Sequence, residues 1–173
     1  MAQLKTIICN FCARTGVLCK ECNSKLRKRK INELDIEISK VFVELDQKYQ
    51  KQLNDVIIRA VQKTKDNYII LAKNGFKINS NTELIDLLER KLSSKIIIID
   101  EKKNIKSTFA ELFNPLKIDR IDRLYVPPEG DLELRIQLKG DIDKLGMPQS
   151  QLQQVASVIA KIPVRIEVSS LEK

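Results

Sequence analysis

The sequence predicts an α+β protein in three parts: a four-cysteine module with a basic tail over residues 1–30, then two units of order αββαβ over residues 31–104 and 105–173. Three observations carry this prediction. The chain's four cysteines all fall between Cys9 and Cys22. Downstream, apolar residues recur at helical and then at strand periods, in the same order twice. The charge is also lopsided, with eight basic side chains against one acidic in residues 1–30, and 23 against 22 in the remainder.

In the first unit, residues 31–49 place Leu34, Ile38, Val41, Phe42, Leu45 and Tyr49 on one helical face. Residues 54–61 and 67–73 read as strands joined by the polar turn 62–66. Residues 81–92 predict a second amphipathic helix, capped by Asn81 or Thr82. The run "KIIIID", residues 95–100, is a buried strand of β-branched residues.

The second unit repeats this order. Residues 107–116 predict a helix with Phe109, Leu112, Phe113 and Leu116 facing inward and Ser107 near its cap. Residues 117–126 and 131–139 read as strands around the turn "PPEG". In the latter, Leu132, Leu134, Ile136 and Leu138 alternate with Glu133, Arg135 and Gln137, which leaves one face wet. Residues 150–162 supply a helix with Leu152, Val155, Ala156 and Ile159 inward, and residues 163–168 close the unit as a strand. The repetition points to an internal duplication, with each small sheet covered by helices on one face.

Composition narrows the class. Hydrophobic residues make up 43% and charged residues 31%, which excludes a disordered chain. No apolar run approaches the length of a membrane span. The start "MAQLKTIIC" lacks the charged, apolar and cleavage regions of a signal peptide. The chain therefore reads as cytoplasmic, without membrane contact, and its cysteines as metal ligands rather than disulfides.

Cys9, Cys12, Cys19 and Cys22 form C-x2-C-x6-C-x2-C. Each pair can present two thiolates to one ion, and two such knuckles complete a tetrahedron in a zinc knuckle or ribbon. Thr15-Gly16 offers a reversal between them. The chain has no histidine, so the site is all sulfur. Such a donor set selects one structural zinc, with iron, an iron–sulfur cluster or a dithiol redox pair as alternatives. Four thiolates leave zinc no open position, so the site is not catalytic.

The basic tail follows directly. Lys25, Arg27, Lys28, Arg29 and Lys30 set five cations in six positions with no acid among them, and Arg14 and Lys20 add two more. Some of this charge offsets the formal −2 of a zinc–tetrathiolate site, yet an excess remains. Phosphate relieves such repulsion, which makes these seven residues candidate RNA contacts; a solvated, idle surface is the alternative. Few aromatics (three Tyr, five Phe, no Trp) argue against base stacking as the main device.

The stretches "ICNFCARTGVLCKECNSKL", "ELDIEIS", "LLERKLSSKIIII" and "PVRIEV" resemble the archaeal NusA-like proteins, which join an N-terminal zinc module to tandem KH-type domains. The resemblance implies two KH-like units of the prokaryotic type (type II) and an RNA-binding role in transcription elongation or termination. A KH domain grips a nucleotide backbone through a G-x-x-G loop between helices. The family reads approximately G-K-V-I-G-K-G-G where this chain reads "GFKINSNT", Gly75 to Thr82, with Asn79 and Thr82 in place of the loop glycines. Asn79 and Asn81 retain access to left-handed turns. The second unit has "LKGDIDKLGMPQS" at the corresponding place, where Asp141 and Asp143 repel phosphate. The stretch is therefore expected to act as a structural turn, with Lys73 and Lys77 as candidate weak RNA contacts.

The expected function is that of a non-enzymatic RNA-binding factor acting on rRNA or a nascent transcript, with RNA polymerase as partner complex. The alternative is an accessory protein docked on a ribosomal subunit. No P-loop, Rossmann glycine pattern or small-molecule site is evident.

Overall fold

Each unit is built around a three-stranded mixed sheet, and the two sheets share one topology. In this computed structural model, which describes residues 3–64, 67–102 and 104–169, the chain divides into Met1–Glu101 and Lys102–Lys173. Lys65 and Asp66 of the turn expected between the first two strands lie outside the described residues. So do the ends of the chain and Lys103.

The first sheet comprises β1 (Ile57–Lys63), β2 (Asn67–Lys73) and β3 (Lys95–Asp100), in that order. β1 runs antiparallel to β2, and β2 parallel to β3, with Tyr68 opposite Ile96 and Ile70 opposite Ile98. The helices are α1 (Asn10–Thr15), α2 (Lys20–Arg27), α3 (Glu33–Asp46), α4 (Gln50–Leu53), α5 (Phe76–Asn79) and α6 (Thr82–Leu92). A capping box starts α3. The Asp35 N–H donates to Asn32 Oδ1 at 2.9 Å, and the Asn32 N–H donates to Asp35 Oδ2 at 3.0 Å. Ile38, Phe42 and Leu45 form its buried face, with Leu34 and Val41 packed partly against it. Tyr49 is buried beyond the helix end, and its hydroxyl donates to Glu83 Oε1 at 2.6 Å, tying the α3–α4 link to the first turn of α6.

The cysteine segment shares this core. Leu4, Ile8, Cys12, Ala13, Cys22 and Ile31 belong to the same apolar cluster as Ile38, Phe42 and Tyr68. Before it reaches α1 the chain meets the free edge of β1 at a single bridge. There the Lys5 N–H donates to the Val56 carbonyl and the Ile58 N–H donates to the Lys5 carbonyl, both at 2.9 Å, in the parallel sense. Leu4 and Ile8 flank that bridge, 1% and 2% exposed.

Gly75 is buried where β2 turns into α5. Its N–H donates to Asp100 Oδ1 at 2.7 Å. A Cβ added there would lie 3.0 Å from Ile98 Cγ2 and 3.2 Å from the Ala72 carbonyl oxygen. Close approach, not turn geometry, requires this glycine, since its φ is −59°.

The second unit holds α7 (Ile105–Leu112), β4 (Lys117–Val126), β5 (Asp131–Lys139), a 3-10 turn (Ile142–Leu145), α8 (Gln149–Ala160) and β6 (Val164–Ser169). β4 runs antiparallel to β5 and β5 parallel to β6. Asn104, not Ser107, caps α7, accepting from the Lys106 N–H at 2.9 Å. Phe109, Leu112, Phe113 and Leu116 are buried, as their spacing predicts. On the wet face of β5, Arg135 donates to Asp122 Oδ2 at 3.1 Å, and Arg165 sits 2.9 Å from Glu133 Oε1. Both first strands carry a bulge at the same place, between Ile58 and Ala60 in β1 and between Ile118 and Arg120 in β4.

Because Ile8 fills the core beside β1, Ile8→Ala is expected to lower stability by about 3 kcal/mol in urea unfolding. Amide exchange should speed up across β1 as well as in residues 3–8. A loss confined to residues 3–8 would contradict the shared core.

Candidate metal centre

Two short helices bring the four cysteines together. Cys9 and Cys19 are the residues that precede α1 and α2, with extended backbones at φ −67° and −69°. Cys12 and Cys22 follow in the first turn of each helix. Each C-x2-C therefore becomes one corner of extended chain entering a helix, which turns both sulfurs of a pair to the same side. The Thr15-Gly16 reversal anticipated from the sequence is present. Gly16 closes α1 in the left-handed region at φ 75°, and its N–H donates to the Cys12 carbonyl at 2.9 Å.

All four Sγ atoms lie within 4.8 Å of one another. A tetrahedral ion with bonds of about 2.3 Å needs sulfurs about 3.8 Å apart, so a small contraction seats it. Cys9 Sγ lies 3.2 Å from Cys12 Sγ, and this pair opens slightly on binding. Backbone donors complete the surroundings. The Cys19 N–H donates to Cys12 Sγ at 3.0 Å, and the Cys22 N–H donates to Cys19 Sγ at 3.5 Å. Such donors favour the thiolate form and orient the ligands. The donor set and its spacing fit one structural metal ion.

The four thiols are not electrostatically alike. Burial pushes the Cys12 thiol up to about 12, and burial also raises Cys22. The Cys22 N–H, with help from Cys12, draws Cys19 down to about 7. Cys19 is thus readier to take an ion than Cys12 or Cys22, which give up a proton only when the ion replaces it.

The basic residues surround this site in two groups. Arg14 is exposed in the last turn of α1 and Lys20 in the first turn of α2. Lys25 pairs with Glu21 one turn away at 3.0 Å. Arg27, the last residue of α2, and Lys28, Arg29 and Lys30 beyond it are all exposed. The Arg29 N–H donates to the Leu26 carbonyl at 3.0 Å and the Lys30 N–H to the Lys25 carbonyl at 2.9 Å. These two bonds make a Schellman turn with Arg29 in the left-handed position, φ 54°, where glycine is usual.

The other candidate lysines stand apart. Lys73 is exposed at the end of β2. The Lys77 ammonium donates to the Asn54 carbonyl at 2.8 Å and lies 3.9 Å from Asp55 Oδ2, which ties α5 to the end of α4. Between α5 and α6, the Asn79 amide donates to the Ile98 carbonyl at 3.1 Å, and Asn81 caps α6 by accepting from the Leu84 N–H at 3.0 Å. Neither Asn79 nor Asn81 adopts the left-handed backbone; Asn74 and Asp55 do, at φ 60° and 65°.

Metal loading should expel about two or more protons per ion, because Cys12 and Cys22 hold theirs at neutral pH. Affinity should rise as pH rises through the neutral range, checked by calorimetry in buffers of different ionisation enthalpy. An affinity independent of pH would refute this assignment. Replacing the strained residue by Arg29→Gly should raise the melting temperature slightly, by about 0.5 kcal/mol in stability, since glycine occupies that backbone without a clashing Cβ.

Among the described residues, no helix is long and apolar enough to cross a membrane. No family model matches the chain, and no curated protein matches it. One solved structure, described as "Crystal structure of APE1850", is similar at 17% identity and a TM-score of 0.47, over 66% of this chain and 88% of that one.

Proposed function

We propose that this chain is a non-enzymatic RNA-binding protein of the NusA-like kind, touching RNA mainly through a zinc-filled cysteine module while KH-type units serve as scaffold. The observation that carries the reading is the turn after α2. Four consecutive exposed cations, Arg27 to Lys30, follow a backbone path set by two turn hydrogen bonds, beside a four-sulfur site. Cations held on an ordered turn lose less freedom on meeting phosphate than cations on a loose tail. Zinc is the ion that an all-thiolate tetrahedron favours, and with four protein ligands its role is structural.

Support for a KH-type scaffold comes from the element order. In both units a helix precedes two antiparallel strands, a short helical turn, a longer helix and a strand parallel to the middle one. Support for scaffold over clamp comes from residues 79–82. Asn79 and Asn81 hold that segment with their side chains, and no glycine opens its backbone. A protein whose cations sit in one module, with a near-neutral remainder, also suits permanent docking on rRNA. Sedimentation of the native protein from gently lysed cells, with and without RNase, separates the partners. Comigration with a ribosomal subunit favours rRNA, and comigration with RNA polymerase favours the transcript.

Affinity for a labelled single-stranded RNA should fall with salt, by a logarithmic slope of about −0.7 per phosphate contacted. Changing Arg27, Lys28, Arg29 and Lys30 together to Ala should flatten that slope. An unchanged slope would remove the turn from the interface.

A further inference from the structure

The two units differ in one respect that their shared topology makes visible. In the first, the free edge of the leading strand is covered: Lys5 pairs with Val56 and Ile58, and Leu4 and Ile8 fill the core beside it. The positions facing that segment are closed, with Ile58 3% and Val61 6% exposed. In the second, the strand and bulge registers place Leu116 and Ile118 where the first unit has Val56 and Ile58, and Ile121 where it has Val61. Among the described residues β4 has no partner on its outer edge. Ile118 and Ile121 are half-exposed instead of buried. A groove of about 560 Å³ runs along that edge, between Lys106 and Ala110 of α7 and the stretch Leu116 to Ile121.

We infer that this groove binds an extended peptide of a partner protein, which pairs with β4 in the parallel sense as Lys5 pairs with β1. Such strand addition draws affinity from main-chain hydrogen bonds and specificity from pockets for alternate side chains. The main-chain groups are the Leu116 carbonyl and the Ile118 N–H, the counterparts of those that Lys5 engages. The pocket takes apolar side chains that alternate along the peptide, against the half-exposed Ile118 and Ile121. Lys106 and Lys117 border it and favour acidic residues beside the apolar ones. Asp119 does not oppose them, because it is paired with Lys139 at 2.6 Å. This inference is independent of any role in RNA binding.

The test uses the metal-loaded full chain, labelled with nitrogen-15, and an acetylated peptide with the sequence Gln3 to Ile8. The expected result is amide shifts confined to Lys106–Ala110 and Leu116–Ile121. Filling the groove with Ala110→Trp should weaken binding about tenfold or more. A peptide carrying Lys5→Glu should bind more tightly than the parent. Ala110 is exposed on α7, and if the tryptophan variant nevertheless melts early, Lys117→Glu replaces it and should reverse the preference between the two peptides. No shifts in the groove, shifts along β1, or binding unaltered by these variants would overturn the proposal. So would the same shifts on raising the protein concentration alone, with a dimer in sedimentation equilibrium, since the occupant would then be a second copy.

Discussion

Burial of Cys12 and Cys22 among the apolar side chains of the first unit couples metal binding to packing. These two sulfurs are core atoms, 0% and 2% exposed, and also half of a tetrahedral donor set. Neither α1 nor α2, of six and eight residues, is long enough to persist as an isolated helix. What orders them is contact of α1 with α3 on one side and convergence of the four sulfurs on the other. The anchor against β1 completes the arrangement, because it fixes where α1 begins. The turn that carries Arg27 to Lys30 inherits its position from the same constraints, being the end of α2.

Much of this was legible in the sequence because period and spacing are local properties. The long helices and all six strands follow from apolar recurrence, and the donor set follows from C-x2-C-x6-C-x2-C. Single-turn helices were not legible: α4 and α5 span four residues each, too short to show a period. Caps were only partly so. Asn81 was foreseen, whereas Asn104 took the place of Ser107 because the residue that caps is the one whose backbone is extended at the helix entrance. The seat of the cysteine segment was invisible for a different reason. Leu4, Ile7 and Ile8 are too few to show a period, and only the Lys5 bridge to β1, more than fifty positions away in the chain, places Leu4 and Ile8 in the core.

The two sheets show how one topology tolerates different surfaces. Both keep the bulge, the parallel pair and the short helical turn ahead of the main helix. On the half-buried polar face of the second sheet, Arg135 lies directly opposite Asp122 and also opposite Arg165, which reaches diagonally to Glu133. A strand slipped by one residue would turn these charged side chains toward the apolar face and Leu134, Ile136 and Leu138 toward the polar one. The alternation of apolar and polar positions there specifies register, and apolar burial supplies the driving force.

Gly75 carries a consequence for how the chain can change over generations. Around Gly75, held by its hydrogen bond to Asp100, a Cβ would press against Ile98 and the Ala72 carbonyl, so a side chain here is resisted by crowding. Four residues on, Asn79 is exposed and holds its segment by a side-chain bond that another short polar residue could replace. Drift is therefore channelled. Lineages descending from this sequence can rewrite the tip between α5 and α6 while the glycine at its root stays fixed, and the root will remain recognisable long after the tip has ceased to be.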